Sequence, residues 1–455
     1  MIKKIDLNKQ GLKAFFYNFF IIWNLLIIIL LIFLNIYFSS DKIKKVDAKK
    51  EIPQEWGQFK IKWKSNSKYQ RIGTKVFSIA TEAMNSDKIR DIVTLSLDGI
   101  LASLNGKNGY TLFKVNLPIS PCTHIKIIPK PFRRILIGST NGNIICISSS
   151  GKKIWELKGV SKVFSIGVAR KNKEFNILAN FSVDLRFINL LKGKFEQYIN
   201  SFKNPLFSEI LTYDFNNDKN DDAIVGDTES IYCIDGLTGN ILWRKKLKYL
   251  YAGKFSIITD NNSDIFLLVP LYNGKIIVLN KSGIDVWEYE INERLVNAPV
   301  VFKNKKNQYC FVQSTIQGSI ICFNFEKRKK LWVKEALSSS SVKMGMCDFN
   351  YDDVPEIVTI DKYGKLSIIR SDNGNIIDTL SVLENPQFEN IISNIVIDDI
   401  DNDGNFEIVI ASDKGNVYVY TYVVVTKHKF WKILLNKKRR WNLYGGNING
   451  NFKFN

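Results

Sequence analysis

The feature that most constrains this chain is a spacing. A glycine leads into a short apolar run at Gly99 ("ILASL"), Gly142 ("NIICI"), Gly274 ("KIIVL"), Gly318 ("SIICF"), Gly364 ("KLSII") and Gly415 ("NVYVY"), at steps of 43, 132, 44, 46 and 51 residues. The step of 132 is three times 44, so two further copies are expected near positions 186 and 230. "VDLRFINL" covers the first, and "SIYCI", starting at Ser230, covers the second. An aromatic column keeps the same period: Phe113, Trp155, Trp243, Trp287 and Trp332 are separated by 42, 88, 44 and 45 residues.

Runs of about five Ile- and Val-rich residues bounded by Gly, Asn and Asp are strand signals. Four such pieces in each unit of roughly 45 residues is the period of a propeller blade. A β-helix repeats over fewer residues, and a helical solenoid shows a 3.6 period. The spacing therefore predicts an all-β fold, a β-propeller of seven or eight four-stranded blades over residues 56–455. Seven is the count if one terminal copy is a partial blade. "WGQFKIKWKS" (Trp56 to Ser65) is expected to supply a strand that closes the ring with the C-terminal blade. With 45% apolar and 13% aromatic residues, the chain can fill a large core.

The N-terminal region is different. After a tail of residues 1–13, "AFFYNFFIIWNLLIIILLIFLNIYF" (14–38) carries no charge. At ~1.5 Å per residue this span can cross a ~30 Å hydrocarbon layer. It is longer than a signal-peptide core and leaves through "SSDKIKK" without a small-residue cleavage pattern, so an uncleaved transmembrane helix is expected. Residues 39–55 are a charged linker. Lysines stand on both sides of the span (Lys3, Lys4, Lys9, Lys13; then Lys42, Lys44, Lys45, Lys49, Lys50), so charge bias does not decide its direction. An N-terminal start anchor favours a single-pass protein with its propeller outside the cytoplasm.

Three stretches repeat an acidic spacing. Asp214, Asn216, Asp218, Asn220 and Asp222 stand in "DFNNDKNDDAIV". Asp348, Asn350, Asp352, Val354 and Glu356 stand in "DFNYDDVPEIV", and Asp399, Asp401, Asp403, Asn405 and Glu407 in "DIDNDGNFEIV". Oxygens at positions 1, 3 and 5, a backbone carbonyl at 7 and a carboxylate at 9 can wrap one hard cation, and calcium takes six to eight such oxygens. The other reading is that Asp, Asn and Gly simply favour turns. The Asp348 copy has Pro355 and no glycine, and "NSDKIRDIV" and "DNNSDIF" lack the full set. Calcium is expected in a structural role, joining loops.

"TGNILWRKKL" (Thr238 to Leu247), preceded by "IYCIDGL", resembles the repeat of PQQ-like, quinoprotein-type propellers. The closing "RRWNLYGGNINGN" (Arg439 to Asn451) is similar to an element at the ends of such propellers. The three acidic loops resemble the calcium loops of FG-GAP and VCBS-type repeats, including those of integrin α chains. There the loop joins the first and second strands of a blade. The resemblance implies a PQQ-like propeller over roughly 56–455. One relative implied by it is a propeller lipoprotein of outer-membrane protein assembly, from which this chain departs in lacking a lipobox cysteine.

Quinoprotein dehydrogenases share the fold, and the resemblance makes PQQ-dependent oxidation the enzyme reading. They often carry a vicinal disulfide. Here six cysteines (Cys122, Cys146, Cys233, Cys310, Cys322, Cys347) include no adjacent pair, and only His124 and His428 could serve as imidazole bases or ligands. No P-loop, nucleophile elbow or dinucleotide glycine pattern occurs. PQQ and catalysis are not expected. The net charge of +20 comes from scattered lysines, dense only at 427–440, so nucleic acid is not an expected partner. The function expected is a non-catalytic scaffold: protein partners on the propeller faces, and the membrane through 14–38. The alternatives are a calcium-dependent adhesin or receptor and, last, a PQQ-type enzyme.

Overall fold

The computed structural model describes residues 57–423, apart from 66–71, 160, 173, 183, 201, 336 and 339. The apolar segment 14–38 and the closing element 439–451 lie outside the described residues. Among the described residues no helix is long and apolar enough to cross a membrane.

The described strands form eight four-stranded antiparallel sheets. In chain order the blades are 1 (76–116), 2 (126–157), 3 (165–199), 4 (211–246), 5 (256–290), 6 (300–334) and 7 (343–381). Blade 8 takes Val396–Asp398, Glu407–Ala411 and Val417–Val423 from the C-terminal side and Gln58–Lys64 from the N-terminal side. The count is thus eight, not seven. The two inferred copies fall on Asp184–Asn189 and Ser230–Ile234. Gln58–Lys64 pairs antiparallel with Val417–Val423, as expected of a closing strand.

The strand pattern follows from packing. The second and third strands of a blade lie between two neighbouring blades and are covered on both faces. They therefore read as unbroken apolar runs, such as Glu356–Ile360 and Ser230–Ile234, buried at every position. The outermost strands alternate, as in Ile241–Lys246 and Thr111–Asn116, because only one of their faces meets a neighbour. The core is eight clusters, one at each seam between blades. Ile79, Ile92 and Leu104 of blade 1 pack on Val409, Val417 and Val419 of blade 8, so the last seam is built like the others. Cys146, Cys233 and Cys322 fill equivalent third strands as buried free thiols, and Cys310 and Cys347 are also buried.

Outer-strand tryptophans lock successive blades together. Trp243 of blade 4 lies on the turn of blade 5, where Nε1 donates to the Lys281 carbonyl at 2.8 Å. A Cβ on Gly283 of that turn would stand 2.6 Å from the indole, and its φ of +75° is itself a glycine conformation. Trp155 and Trp332 donate likewise to Leu190 and Ser371, and Trp63 of the closing strand donates to Gly106 of blade 1 at 2.8 Å. Blade 5 departs from the pattern. Its Trp287 meets Arg328 instead of a glycine, with the guanidinium 4.2 Å from the ring centroid, and its buried Nε1 has no hydrogen-bond partner.

Candidate cation loops on one face of the propeller

The three acidic spacings each join the first and second strands of their blade: Leu211–Tyr213 to Asp222–Gly226, Lys343–Cys347 to Glu356–Ile360, and Val396–Asp398 to Glu407–Ala411. The antiparallel order puts these loops, with the turns between third and fourth strands, on one face of the ring. Turns between second and third strands, and the connections from blade to blade, form the other.

The three loops share one backbone. Position 1 accepts two main-chain N–H groups. Asp214 takes those of Asp218 (3.1 Å) and Lys219 (2.9 Å), Asp348 those of Asp352 and Asp353, and Asp399 those of Asp403 and Gly404. Positions 4 and 6 have positive φ in every copy: Asn217 and Lys219, Tyr351 and Asp353, Asn402 and Gly404. The glycine missing from the Asp348 copy is thus replaced by Asp353 at φ 67°, a conformation Asp tolerates better than most residues. Pro355 does not change the path. Position 9 turns back on the loop: Asp222, Glu356 and Glu407 accept the N–H groups of Phe215, Phe349 and Ile400 at 2.8, 3.0 and 3.0 Å. Asn220 and Asn405 donate their own N–H groups to position 5, as does Val354.

Each loop gathers carboxylates away from water, which disfavours the charged form. Burial pushes Asp348 up to about 7, and the neighbouring Asp352 adds to it. Burial raises Glu356 well above the usual carboxylate range, and Asp222 to about 6. Burial likewise lifts Asp399 to about 6, with Asp403 and Asp401 adding, and Glu407 to about 7.

The loops differ in what answers that charge. In blade 8, Lys62 of the closing strand places its ammonium among the acids. It pairs with Asp401, lies 2.9 Å from Glu407 and reaches Asp403 at 3.7 Å. Burial lowers the Lys62 pKa, but the bonds to Asp401 and Glu407 outweigh it and the net shift is upward. Asp399, Asp401 and Asp403 each bring a carboxylate oxygen within 4.8 Å of the others, and the second Asp401 oxygen is buried without a hydrogen-bond partner. Lys62 sits at a register shift between Ile61 and Trp63. A bulge of this kind re-aims a side chain. The same shift before the outer aromatic carries Leu112, Ile154, Leu242, Val286 and Leu331 elsewhere, each partly exposed.

In blade 4 the residue at that bulge is Leu242, and among the described residues no lysine forms an ion pair with Asp214, Asp218 or Asp222. There the Asn216 amide donates to Asp218 (3.2 Å) and to Asp235 (2.9 Å), and Arg170 of blade 3 grips Asp221 through two nitrogens. In blade 7 Lys305 lies 3.4 Å from Asp352, and the Tyr351 hydroxyl donates to the Gly404 carbonyl, tying this loop to that of blade 8. The sequence pointed to the loop residues but not to Lys62, Arg170 or Asp235. One signal for Lys62 was in view: the residue before the outer Trp is Ile, Leu or Val in "KIW", "ILW", "DVW" and "KLW", and Lys in "IKW".

Residues 227–441 match the family described as outer membrane protein assembly factor BamB. No curated protein sequence matches the chain. Among solved structures, BamB from Moraxella catarrhalis superposes with a TM-score of 0.57 at 14% identity, covering 82% of this chain and 100% of that one. Sqt1 of Saccharomyces cerevisiae gives 0.61 at 13% identity over 78% and 97%. BBS1N, solved in complex with ARL6DN, gives 0.51 at 8% identity over 82% and 98%. At such identities the structural likeness speaks for the fold. Together with the family match over the C-terminal blades, it supports a PQQ-like propeller of eight blades.

Proposed function

We propose that this chain is a membrane-anchored, non-catalytic propeller that holds protein partners, in the manner of an envelope assembly factor. The observation that carries this reading is the match of residues 227–441 to an outer membrane assembly factor family, joined to an eight-bladed ring. BBS1N, of similar fold, was solved bound to another protein. A rigid ring with distinct loop sets on its two faces suits such a role. Segment 14–38 is the anchor in this reading, with the propeller outside the cytoplasm.

The test is face-selective crosslinking of the full-length protein in its native membrane. Photo-reactive residues replace exposed Phe388 or Ile316 on one face and Tyr110 on the other. One face is expected to capture a single discrete protein. Diffuse products of equal strength from both faces, or none, would contradict the scaffold.

We further propose that the acidic loops are structural cation sites. Buried carboxylates pushed toward neutrality and an orphaned Asp401 oxygen fit a hard cation. In blade 4 the donors would be Asp214, Asn216, Asp218, the Asn220 carbonyl and Asp222. In blade 7 they would be Asp348, Asn350, Asp352, the Val354 carbonyl and Glu356. In blade 8 they would be Asp399, Asp401, Asp403, the Asn405 carbonyl and Glu407, and there calcium has to displace the Lys62 ammonium. When bound, the ion supplies charge and joins the loop to the second strand. The adhesin-like alternative draws on these same loops and is separated from the scaffold by calcium-dependent binding to a surface glycan.

A further inference from the structure

The turns between third and fourth strands form the outer edge of the face that carries the acidic loops. First strands touch the first strands of neighbouring blades and so line the axis, which leaves the fourth strands at the rim. Four of these turns set a large apolar side chain in the open: Tyr110 in blade 1 (71% exposed), Leu191 in blade 3 (57%), Leu237 in blade 4 (40%) and Ile284 in blade 5 (61%). None belongs to a core cluster at a blade seam; in blade 3 that task falls to the neighbouring Leu190, which is buried. The same set of turns carries exposed lysines: Lys107, Lys152, Lys192, Lys281 and Lys327, in blades 1, 2, 3, 5 and 6. Among the described residues none of these five forms an ion pair. The acids of these turns are already engaged. Asp235 is buried and accepts the Thr238 N–H and hydroxyl at 2.6 and 2.8 Å, Glu326 accepts the Tyr309 N–H at 3.3 Å, and Asp372 pairs with Arg370.

In blade 8 the place of this turn is taken by the two ends of the described chain. Gln58 opens the outer strand and pairs with Val423, where the third strand ends. The sequence before Gln58 holds the uncharged run 14–38, and the sequence after Val423 holds the basic run 427–440. The opposite face also exposes apolar side chains, Phe388 most of all (73%). There they are mixed with acids: Leu97 is followed by Asp98, and the connection that holds Phe388 also holds the exposed Glu384.

We propose that this crown of turns docks on an anionic phospholipid surface. Single apolar side chains flanked by lysines are the composition of an interfacial contact. The apolar groups enter the boundary between headgroups and acyl chains, tyrosine keeps its hydroxyl on the water side, and the ammonium groups meet lipid phosphates. Equivalent turns of equivalent blades stand at one level, so they can meet a flat surface together. The acidic loops lie nearer the axis, and Asp222, Asp348, Glu356 and Glu407 within them are buried, so these acids do not oppose the lipid charge at the rim. The inference rests on the anchored reading of 14–38 for its supply of nearby lipid, and it leaves the opposite face to the protein partner.

The test is photo-crosslinking of the full-length protein in lipid nanodiscs, with EDTA present so that calcium cannot bridge acids to lipid. A photo-reactive residue replaces Tyr110, Leu191 or Ile284 on the crown, or Phe388 on the opposite face, and lipid adducts are read by mass spectrometry. In discs of equal parts phosphatidylglycerol and phosphatidylcholine, the crown positions are expected to give several-fold more adduct than Phe388. That excess should fall several-fold in discs of phosphatidylcholine alone, and equally in a triple variant with Lys107→Gln, Lys192→Gln and Lys281→Gln. Equal adducts from both faces, or a crown signal indifferent to lipid charge and to the triple variant, would overturn the proposal. Should 14–38 fail to hold the protein in the discs, the anchored reading falls, and cosedimentation of the full-length protein with phosphatidylglycerol vesicles judges the crown by itself. Binding that the triple variant loses sustains the crown, and absence of binding overturns it. In native membranes, crown positions that capture a protein instead of lipid overturn it as well.

Discussion

Blade 4 and blade 8 carry acidic loops of the same backbone but are assembled differently. Blade 4 is one continuous stretch, residues 211–246, with Leu242 at the outer bulge. Blade 8 is a composite whose outer strand comes from the other end of the chain, with Lys62 at that bulge. In blade 8 a lysine stands among the acids at the ligand positions, whereas in blade 4 the cation among the described residues, Arg170, pairs with Asp221, which lies between the ligand positions. The difference teaches that ring closure and loop charge are coupled at a single residue. The strand that shuts the ring also neutralises Asp401 and Glu407, so opening the ring would expose three buried or half-buried acids to mutual repulsion.

The largest effect is expected from Lys62→Met. Glu407 is fully buried and Lys62 has only 17% of its side chain accessible. Removing one partner of such a pair costs about 3–5 kcal/mol. Denaturant unfolding without calcium is expected to show a loss near the lower figure, since Asp403 is well exposed. The corresponding Leu242→Met change in blade 4 should be close to neutral. Equal losses at the two positions would break the comparison.

Next is metal removal. If the Asp214 loop binds calcium, free ion at 100 times Kd stabilises by about 2.7 kcal/mol. EDTA should therefore lower the unfolding midpoint of the wild type, and Asp214→Asn should remove part of that response. An EDTA response unchanged by Asp214→Asn would assign the ion elsewhere.

Acidity gives a third test, with a definite sign. In the metal-free protein Asp222, Asp399, Asp348 and Glu407 have folded values of about 6 to 7, above those of the unfolded chain. Between about pH 4.5 and 7 the folded state then holds more protons, so these groups lose stability as pH rises. With EDTA, stability is expected to fall across that window. With calcium the slope should reverse, because the ion favours the ionised form.

The smallest effect probes whether the closing seam is an ordinary one. Trp63→Phe and Trp243→Phe each lose an indole hydrogen bond to a carbonyl and should cost about 1 kcal/mol. Trp287→Phe removes an N–H that already lacks a partner and should be near neutral. A much larger loss at Trp63 than at Trp243 would mean the closing seam depends on more than blade docking.

The ring was legible in the sequence because each blade repeats the same local problem. A doubly covered strand must be apolar, a tight turn needs glycine at positive φ, and an outer aromatic needs a platform on the next blade. Those demands recur every 45 residues or so, and even the closing strand was readable from "FKIKWK". The acidic loops were legible as spacings, since their ligand positions are local. Lys62 was not, because its partners lie more than three hundred positions away and only the register of the closing strand brings them together. Arg328 shows the converse. It breaks the glycine column at blade 6, and the structure shows a cation–π contact that fills the place.

The most direct test measures calcium affinity. Isothermal titration of calcium into the full-length wild type and Lys62→Met compares the sites in each. With Lys62 serving as the resident cation of blade 8, calcium has to displace it in the wild type, so the variant is expected to bind the blade 8 ion more tightly, and Asp401→Asn in the variant background should remove that site. An identical count in both proteins, with unchanged affinity, would contradict a lysine that stands in for the metal.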